Sequence, residues 1–286
     1  MSKITIQAIK KLKNQARSFA ALTAYDYTSA QLVDMAGIPI ILVGDSAAMV
    51  MLGYETTIPA SLDEMLMLTA AVARGTKDAL VVADMPFMTY QPSVEEAVRS
   101  AGAFIKRGRA GAVKLEGGKQ MVPQISAIVN CGIPVMGHVG LTPQSFHQMS
   151  GYRVQGKTEA AAHKILMDAR AVQDAGAFSI VLEGVPAELA GQITEELAIP
   201  TIGIGAGPDC DGQIQVFHDI LGLGDFAPKH TKRFAHLGTQ ITKSVRHYKE
   251  AVESGEFPTE ENFTHLTESV QKALSAGDDE ANQQRS

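Results

Sequence analysis

Six residues of this chain carry side chains that could act together on a small acid: Asp45, Asp84, Lys114, Glu116, His138 and Glu183. Each stands in or at the end of a short apolar run, in LVGDS, VVADMP, VKLEGG, VMGHVG and IVLEGV, so a parallel arrangement would deliver all of them to one end. Ser46 follows Asp45 directly. Carboxylates that face one another repel, and burying several in ionised form is costly without a positive partner. A hard divalent cation relieves that conflict, because Mg²⁺ takes oxygen ligands and often keeps waters. Asp45, Asp84 and Glu116, from consecutive runs, are the natural metal group. A 2-oxo acid could chelate such an ion through a carboxylate oxygen and its keto oxygen. That polarises the carbonyl and stabilises an enolate at the adjacent carbon.

Lys114 lies two residues before Glu116, so both point to the same side of a pleated strand. Its ammonium could meet the acid's carboxylate or the developing enolate charge. Glu183 would be the base that removes the proton beside the carbonyl. Plainer readings exist for each residue. An aspartate at a strand end often only caps the next helix, a lysine there lines a barrel as an ion-pair partner, and His138 in GHVG suits a hydrogen-bonded core histidine. Joint placement at one end is what favours the metal site. The run GIGAG (203–207) could seat a phosphate, but a tight crossing near bound substrate suits it better, since no dinucleotide fingerprint surrounds it. The twelve methionines read as core filler, and no HExxH or GxSxG motif is present.

The elements that must position these residues repeat along the chain. Apolar runs occupy 19–26, 38–46, 79–86, 111–118, 133–140, 178–185 and 199–207, and HDILGLG (218–224) supplies an eighth. Most are apolar at consecutive positions, the pattern of parallel strands buried on both faces. Between them lie helical periodicities. Ser61 with Glu64 and Ser93 with Glu96 have the spacing of capping boxes, and Lys106, Arg107 and Gly108 suit a helix end with a left-handed cap. Glycines precede the next run at Gly37, Gly108, Gly132 and Gly176. Eight such units need roughly 250 residues, which points to an α/β fold of the (β/α)8 TIM-barrel type. A doubly wound open sheet would place a Gly-rich turn after its first strand, where this chain has TAYDY. The expected organisation is a single barrel with an N-terminal helical cap over 1–262 and a polar C-terminal tail over 263–286, its last dozen or so residues disordered.

Composition narrows the class of partner. A formal net charge of -6, with no local cluster of Lys and Arg, argues against nucleic acid. No apolar stretch is long enough for a membrane helix, and MSKITIQAIKKLKNQ lacks the apolar core of a secretory signal. Cys131 and Cys210 form neither a disulfide framework nor a zinc spacing, which fits a reducing cytoplasm.

Several longer stretches carry a resemblance. TAYDY, LVGDS, ADMPFM, VKLEGG, GHVGLTPQS, GYRVQG, VLEGVP, IGIGAG and DGQIQVFHDILG, in this order, closely resemble the ketopantoate hydroxymethyltransferase family, and VESGEFP (252–258) extends the likeness. The resemblance implies a barrel of the phosphoenolpyruvate/pyruvate-type superfamily. It implies transfer of a hydroxymethyl group from 5,10-methylenetetrahydrofolate to 3-methyl-2-oxobutanoate, giving 2-dehydropantoate on the way to pantothenate. By similarity, Asp45, Asp84 and Glu116 belong to a site for one Mg²⁺ per subunit, with Glu116 acting through water. Asp45, Ser46, Asp84 and Lys114 contact the oxo acid, His138 lies in the substrate pocket, and Glu183 accepts the proton. The family also implies a homodecamer with exchanged C-terminal helices. The long polar tail and the alanines of LVGDSAAM depart from shorter relatives. Two other readings are a Mg²⁺-dependent 2-oxo acid lyase or mutase of the isocitrate lyase group, and a non-catalytic oxo-acid binding barrel. The K-x-C-G-H loop of many such lyases is absent, so no cleavage of 2-methylisocitrate is expected. Release of pyruvate in that assay would support the lyase instead.

Overall fold

The computed structural model describes residues 3–274 apart from 14, 16, 150 and 152. Two compact units divide the chain, Met1–Ala235 and His236–Ser286. In the first, the described strands are β1 (Phe19–Thr23), β2 (Ile40–Val43), β3 (Leu80–Asp84), β4 (Ala112–Lys114), β5 (Val135–Gly140), β6 (Ser179–Glu183), β7 (Thr201–Ile204) and β8 (Gly212–Gln215). They close in sequence order into a parallel barrel, β8 pairing back onto β1. Around and between them lie α1 (Ile6–Lys10), α2 (Tyr27–Met35), α3 (Ala47–Val50), α4 (Leu62–Gly75), α5 (Val94–Lys106), α6 (Val122–Asn130), α7 (Phe146–Met149), α8 (Glu159–Asp174), α9 (Ala187–Glu196) and α10 (Phe217–Leu221).

The continuous apolar runs become strands because both of their faces are covered. Outward side chains such as Ile41, Val43, Val81, Val113 and Ile180 pack in one cluster with helix residues including Met65, Val72, Phe104 and Ile128. Inward side chains, among them Phe19, Ile40, Leu42, Val82, Met136 and Ile202, form a second cluster inside the barrel. Ile9 of α1 is fully buried in that inner cluster, with Ile4, Ile6 and Leu12 beside it. Thr5 caps α1 by accepting from the Ala8 N–H, and Lys13 pairs with Asp211 at 3.1 Å. The N-terminal segment therefore plugs the base of the barrel, opposite the strand ends that carry the polar residues.

Local chemistry explains the element boundaries. Ser61 and Glu64 make the full reciprocal capping box of α4, while Ser93 caps α5 by accepting from Glu96 N–H. Gly37, Gly132 and Gly176 have positive φ, but the left-handed residue after α5 is Arg109 (φ 60), not Gly108. Gly108 is required for another reason, since a Cβ there would stand 2.7 Å from the Phe104 carbonyl oxygen.

The eighth strand is not HDILGLG. Residues Phe217–Leu221 form α10, ended by Gly222 in the left-handed conformation (φ 61), and the strand is the preceding Gly212–Gln215. GQIQ holds one large apolar residue, so hydropathy does not mark it. What places it is pairing on both sides, with Phe19–Leu22 and with Ile202–Gly203. Ile214 fills the interior, and Gly212 makes room for the Phe19 ring, which a Cβ would meet at 2.6 Å.

The second unit holds α11 (Leu237–Ser254), whose Ile241, Val245, Tyr248 and Val252 recur at helical spacing and are exposed. The boundary expected at 262/263 falls inside this unit, and the tail residues 275–286 lie outside the described residues. Among the described residues, no helix is long and apolar enough to cross a membrane.

Closing the barrel base with α1 makes a prediction. Ile9→Ala should cost about 2–5 kcal/mol of stability, the usual range for a fully buried isoleucine. Urea denaturation measures it, and an unchanged midpoint would mean that the base is not held by this helix.

Candidate active site

One cavity of about 750 Å³ opens at the C-terminal ends of the strands, and Asp45, Ser46, Asp84, Lys114, Glu116, His138 and Glu183 all line it. That volume is in the range of sites that enclose drug-sized ligands. All seven residues named from the sequence are thus brought together. Their delivery follows from parallel register. Asp84, the last residue of β3, is level with Lys114, the last of β4, and Gly140 of β5 is level with Glu183 of β6. Glu116 follows β4 by two residues, and the bridge between Gly117 and His138 ties that turn to β5.

The plainer capping readings do not hold. Ser46 occupies the N-cap position of α3 but makes no capping bond, its hydroxyl lying 2.8 Å from the Tyr25 hydroxyl. The helix after Asp84 is capped by Ser93.

Asp45, Asp84, Lys114, Glu116 and His138 are each at most 5% exposed. Lys114 Nζ donates to both oxygens of Asp84 at 2.8 Å and stands 3.6 Å from Glu116 Oε1. The Asp45 N–H donates to Asp84 Oδ2 at 3.2 Å. His138 bridges two carboxylates, with Nδ1 3.4 Å from Glu116 Oε1 and Nε2 3.3 Å from Glu183 Oε2. These are ion contacts at the long edge of hydrogen bonding, and the imidazole nitrogens have no better-aligned partner among the described residues. Glu183 is the more open member, its side chain 17% exposed.

Electrostatics follow from this crowding. Burial, then Asp84 and Glu116, hold the Asp45 carboxyl well above its usual range, against Lys114 and Gln144. Burial also raises Asp84, although Lys114 pulls it back. Glu116 is lowered: burial opposes ionisation, but Lys114, His138 and the Gln144 N–H outweigh it. Burial pushes the Lys114 ammonium toward neutrality, and Asp84, Glu116 and Asp45 reverse this, leaving it more basic than usual. Burial and Lys114 likewise oppose a charge on His138, yet its two carboxylate neighbours raise it to about 9.

Three contributors escaped sequence reasoning. Gln144, on the turn after β5, donates through Nε2 to Asp45 Oδ2 at 3.0 Å and through its N–H to Glu116 Oε2 at 3.1 Å. Tyr90 accepts from the Glu116 N–H at 3.1 Å, and Tyr25 supports Ser46. None of them ends a strand; Tyr25 stands in TAYDY and Gln144 in GLTPQS, while Tyr90 lies outside every such stretch. Gly205, from GIGAG, does line the cavity, as a close crossing beside substrate requires.

No group of three His, Cys, Asp or Glu side chains among the described residues stands ready-made for a metal. The donor chemistry nevertheless suits a hard cation. Asp45, Asp84, Glu116 and Glu183 cluster in the cavity around Lys114 and His138, and Asp219, Arg153, Lys229 and His230 also line it. Glu116 Oε1 is buried without a hydrogen-bond partner. Clustered carboxylate oxygens are the donors that Mg²⁺ selects.

The chain matches the family model described as ketopantoate hydroxymethyltransferase over residues 3–260. Proteins named 3-methyl-2-oxobutanoate hydroxymethyltransferase are similar over nearly its whole length. That of Dehalococcoides mccartyi is 56% identical over 262 residues, 91% of this chain and 94% of the relative. That of Chloroflexus aurantiacus is 52% identical over 280 residues, covering 98% and 99%. Among solved structures, phosphonopyruvate hydrolase with oxalate and Mg²⁺ superposes with a TM-score of 0.60 at 14% identity, covering 99% of this chain and 97% of that one. A 2,3-dimethylmalate lyase of the phosphoenolpyruvate mutase/isocitrate lyase superfamily gives 0.58 at 19% identity, covering 100% and 99%. These structural likenesses show a shared fold.

His138 supplies the test of the electrostatics. Its folded pKa, raised to about 9 from an ordinary 6.5, means that its contribution to stability is complete below pH 6.5 and is lost as pH rises through 9. NMR titration of the ring protons in metal-free protein should give a midpoint near 9, and Glu183→Gln should lower it. A wild-type midpoint at or below 6.5 would contradict the bridge between two carboxylates.

Proposed function

The chain belongs to the ketopantoate hydroxymethyltransferase family and is a hydroxymethyltransferase, and from that premise we propose how its own residues carry the reaction. The acceptor is 3-methyl-2-oxobutanoate, the one-carbon donor 5,10-methylenetetrahydrofolate and the product 2-dehydropantoate, on the route to pantothenate. Asp45 and Asp84 hold Mg²⁺, with Glu116 acting through water. When bound, the ion polarises the keto carbonyl and makes the neighbouring C3 proton acidic.

Every other part of the work falls to side chains. Ser46 and Lys114 bind and orient the oxo acid, and the Lys114 charge stabilises the electron density that moves onto its oxygens. His138 Nε2 holds Glu183 Oε2 at 3.3 Å, which leaves Oε1 to receive the C3 proton. Loss of that proton yields the enolate. Its C3 bonds to the methylene carbon as one carbon–nitrogen bond of the folate breaks, water displaces the second nitrogen and supplies the hydroxyl, and the two nitrogens leave with one proton from Glu183 and one from that water.

The observation that carries this reading is the gathering of Asp45, Asp84, Glu116, Glu183, Lys114 and His138 in a single cavity at the strand ends. Clustered carboxylates suit a cation-dependent enolisation, and family membership favours hydroxymethyl transfer over the lyase and the binding-protein readings. The barrel acts as one catalytic domain in a cytoplasmic homo-oligomer, a decamer by family resemblance.

Glu183→Gln keeps the shape but cannot take a proton. Turnover to 2-dehydropantoate should fall about 10²–10⁴-fold, the range a positioned general base contributes. Calorimetry with the oxo acid and Mg²⁺ should show binding retained. Near wild-type turnover would remove Glu183 as the base.

A further inference from the structure

We propose that Gln144 is a positioning residue that sets Asp45 and Glu116 in the orientation a divalent cation needs, an inference that rests on the cation reading above. Its side-chain amide uses its full hydrogen-bonding capacity. Nε2 donates to Asp45 Oδ2 at 3.0 Å and to the Met85 carbonyl oxygen at 3.0 Å. Oε1 accepts from the Tyr90 hydroxyl at 2.7 Å and from Gln91 Nε2 at 3.1 Å. Two donors and two acceptor sites are all that a carboxamide has, so its orientation is determined. The backbone N–H of the same residue donates to Glu116 Oε2 at 3.1 Å.

One residue on the turn after β5 thus holds carboxylates that arrive from β2 and β4. It takes one oxygen of each, which leaves Asp45 Oδ1 to face an ion directly and Glu116 Oε1, without a hydrogen-bond partner and 3.6 Å from Lys114 and 3.4 Å from His138, to act on it through water. Tyr90 makes the clamp continuous, because its hydroxyl touches both the Gln144 amide and the Glu116 N–H. Gln144 itself is 4% exposed, so no water can replace its amide freely. An oxygen in place of Nε2 would face two acceptors, and an apolar group would leave Asp45 Oδ2 without its donor. Only an amide satisfies both sides.

Partners that orient metal ligands typically contribute 10–100-fold to metal affinity. In Mg²⁺ titration calorimetry of the full chain, Gln144→Met should therefore weaken binding about 10–100-fold. Gln144→Glu should weaken it at least as much, and Tyr90→Phe less but in the same direction. In activity assays the Mg²⁺ concentration for half-maximal rate should rise by the same factor as the dissociation constant, with kcat largely recovered at saturating metal. If Gln144→Met does not fold, Gln144→Glu, which keeps its size, carries the comparison. Unchanged Mg²⁺ affinity in these variants, or a fall in kcat that saturating metal does not repair, overturns the proposal while leaving the cation reading intact. Wild-type protein that binds no Mg²⁺, with or without the oxo acid, overturns the cation reading itself.

Discussion

Crowding of like charge at one end of a closed barrel is the constraint on which the rest of this structure depends. Asp45, Asp84 and Glu116 stand almost without solvent exposure around a single lysine. Lys114 can neutralise one carboxylate fully, and it gives both of its short contacts to Asp84. In a medium of lower effective dielectric than water, the remaining repulsion is felt strongly by every neighbour. Burial first and this repulsion second hold Asp45 and Asp84 up, and the same carboxylates raise the basicity of Lys114 while Glu116 and Glu183 raise the pKa of His138. Apolar residues of equal size would be cheaper to bury, so this crowding at a cavity points to a functional site.

The fold separates the cost from its support. At the base, α1 and the inward apolar side chains of the strands form a dry plug, with Ile9 at its centre. At the other end the same strands finish in charged residues, and parallel register alone brings Asp84 level with Lys114 and Glu183 level with Gly140. This division of stability and chemistry between the two faces is characteristic of (β/α)8 barrels. Within the chemical face there is a second division. Asp45, Asp84 and Glu116 gather on one side, Glu183 on the other, and His138 touches both groups through its two nitrogens. On the proposed reading this joins the cation site to the base through one protonated ring.

How much of this was legible in the sequence depended on what kind of signal each residue leaves. Seven strands and the seven cavity residues could be read because a buried parallel strand is a continuous apolar run, and a charge that terminates such a run is conspicuous. β8 left no such signal. Its GQIQ owes its conformation to two neighbouring strands with open edges, a tertiary cause that overrides local hydropathy, and the more apolar HDILGLG became α10 instead. Gln144 and Tyr90 were hidden for a related reason. They reach the site from loops, and their importance lies in hydrogen bonds to the Asp45 carboxylate and the Glu116 backbone, 99 and 26 positions away in the chain. A neutral amide or phenol in a loop has no periodicity to betray it. The family-like stretch GLTPQS contained Gln144, but its physical role became visible only with the geometry.

The central claim is that this barrel mouth enolises a 2-oxo acid and needs a divalent cation to do so. Deuterium incorporation at C3 of 3-methyl-2-oxobutanoate, followed by NMR with and without Mg²⁺ and in the absence of folate, tests it most directly. Exchange that appears with Mg²⁺ and disappears on chelation is the predicted result. Exchange that is equally fast without metal would contradict the claim for the cation. No exchange under either condition, and none when folate is added, would contradict the enolisation itself.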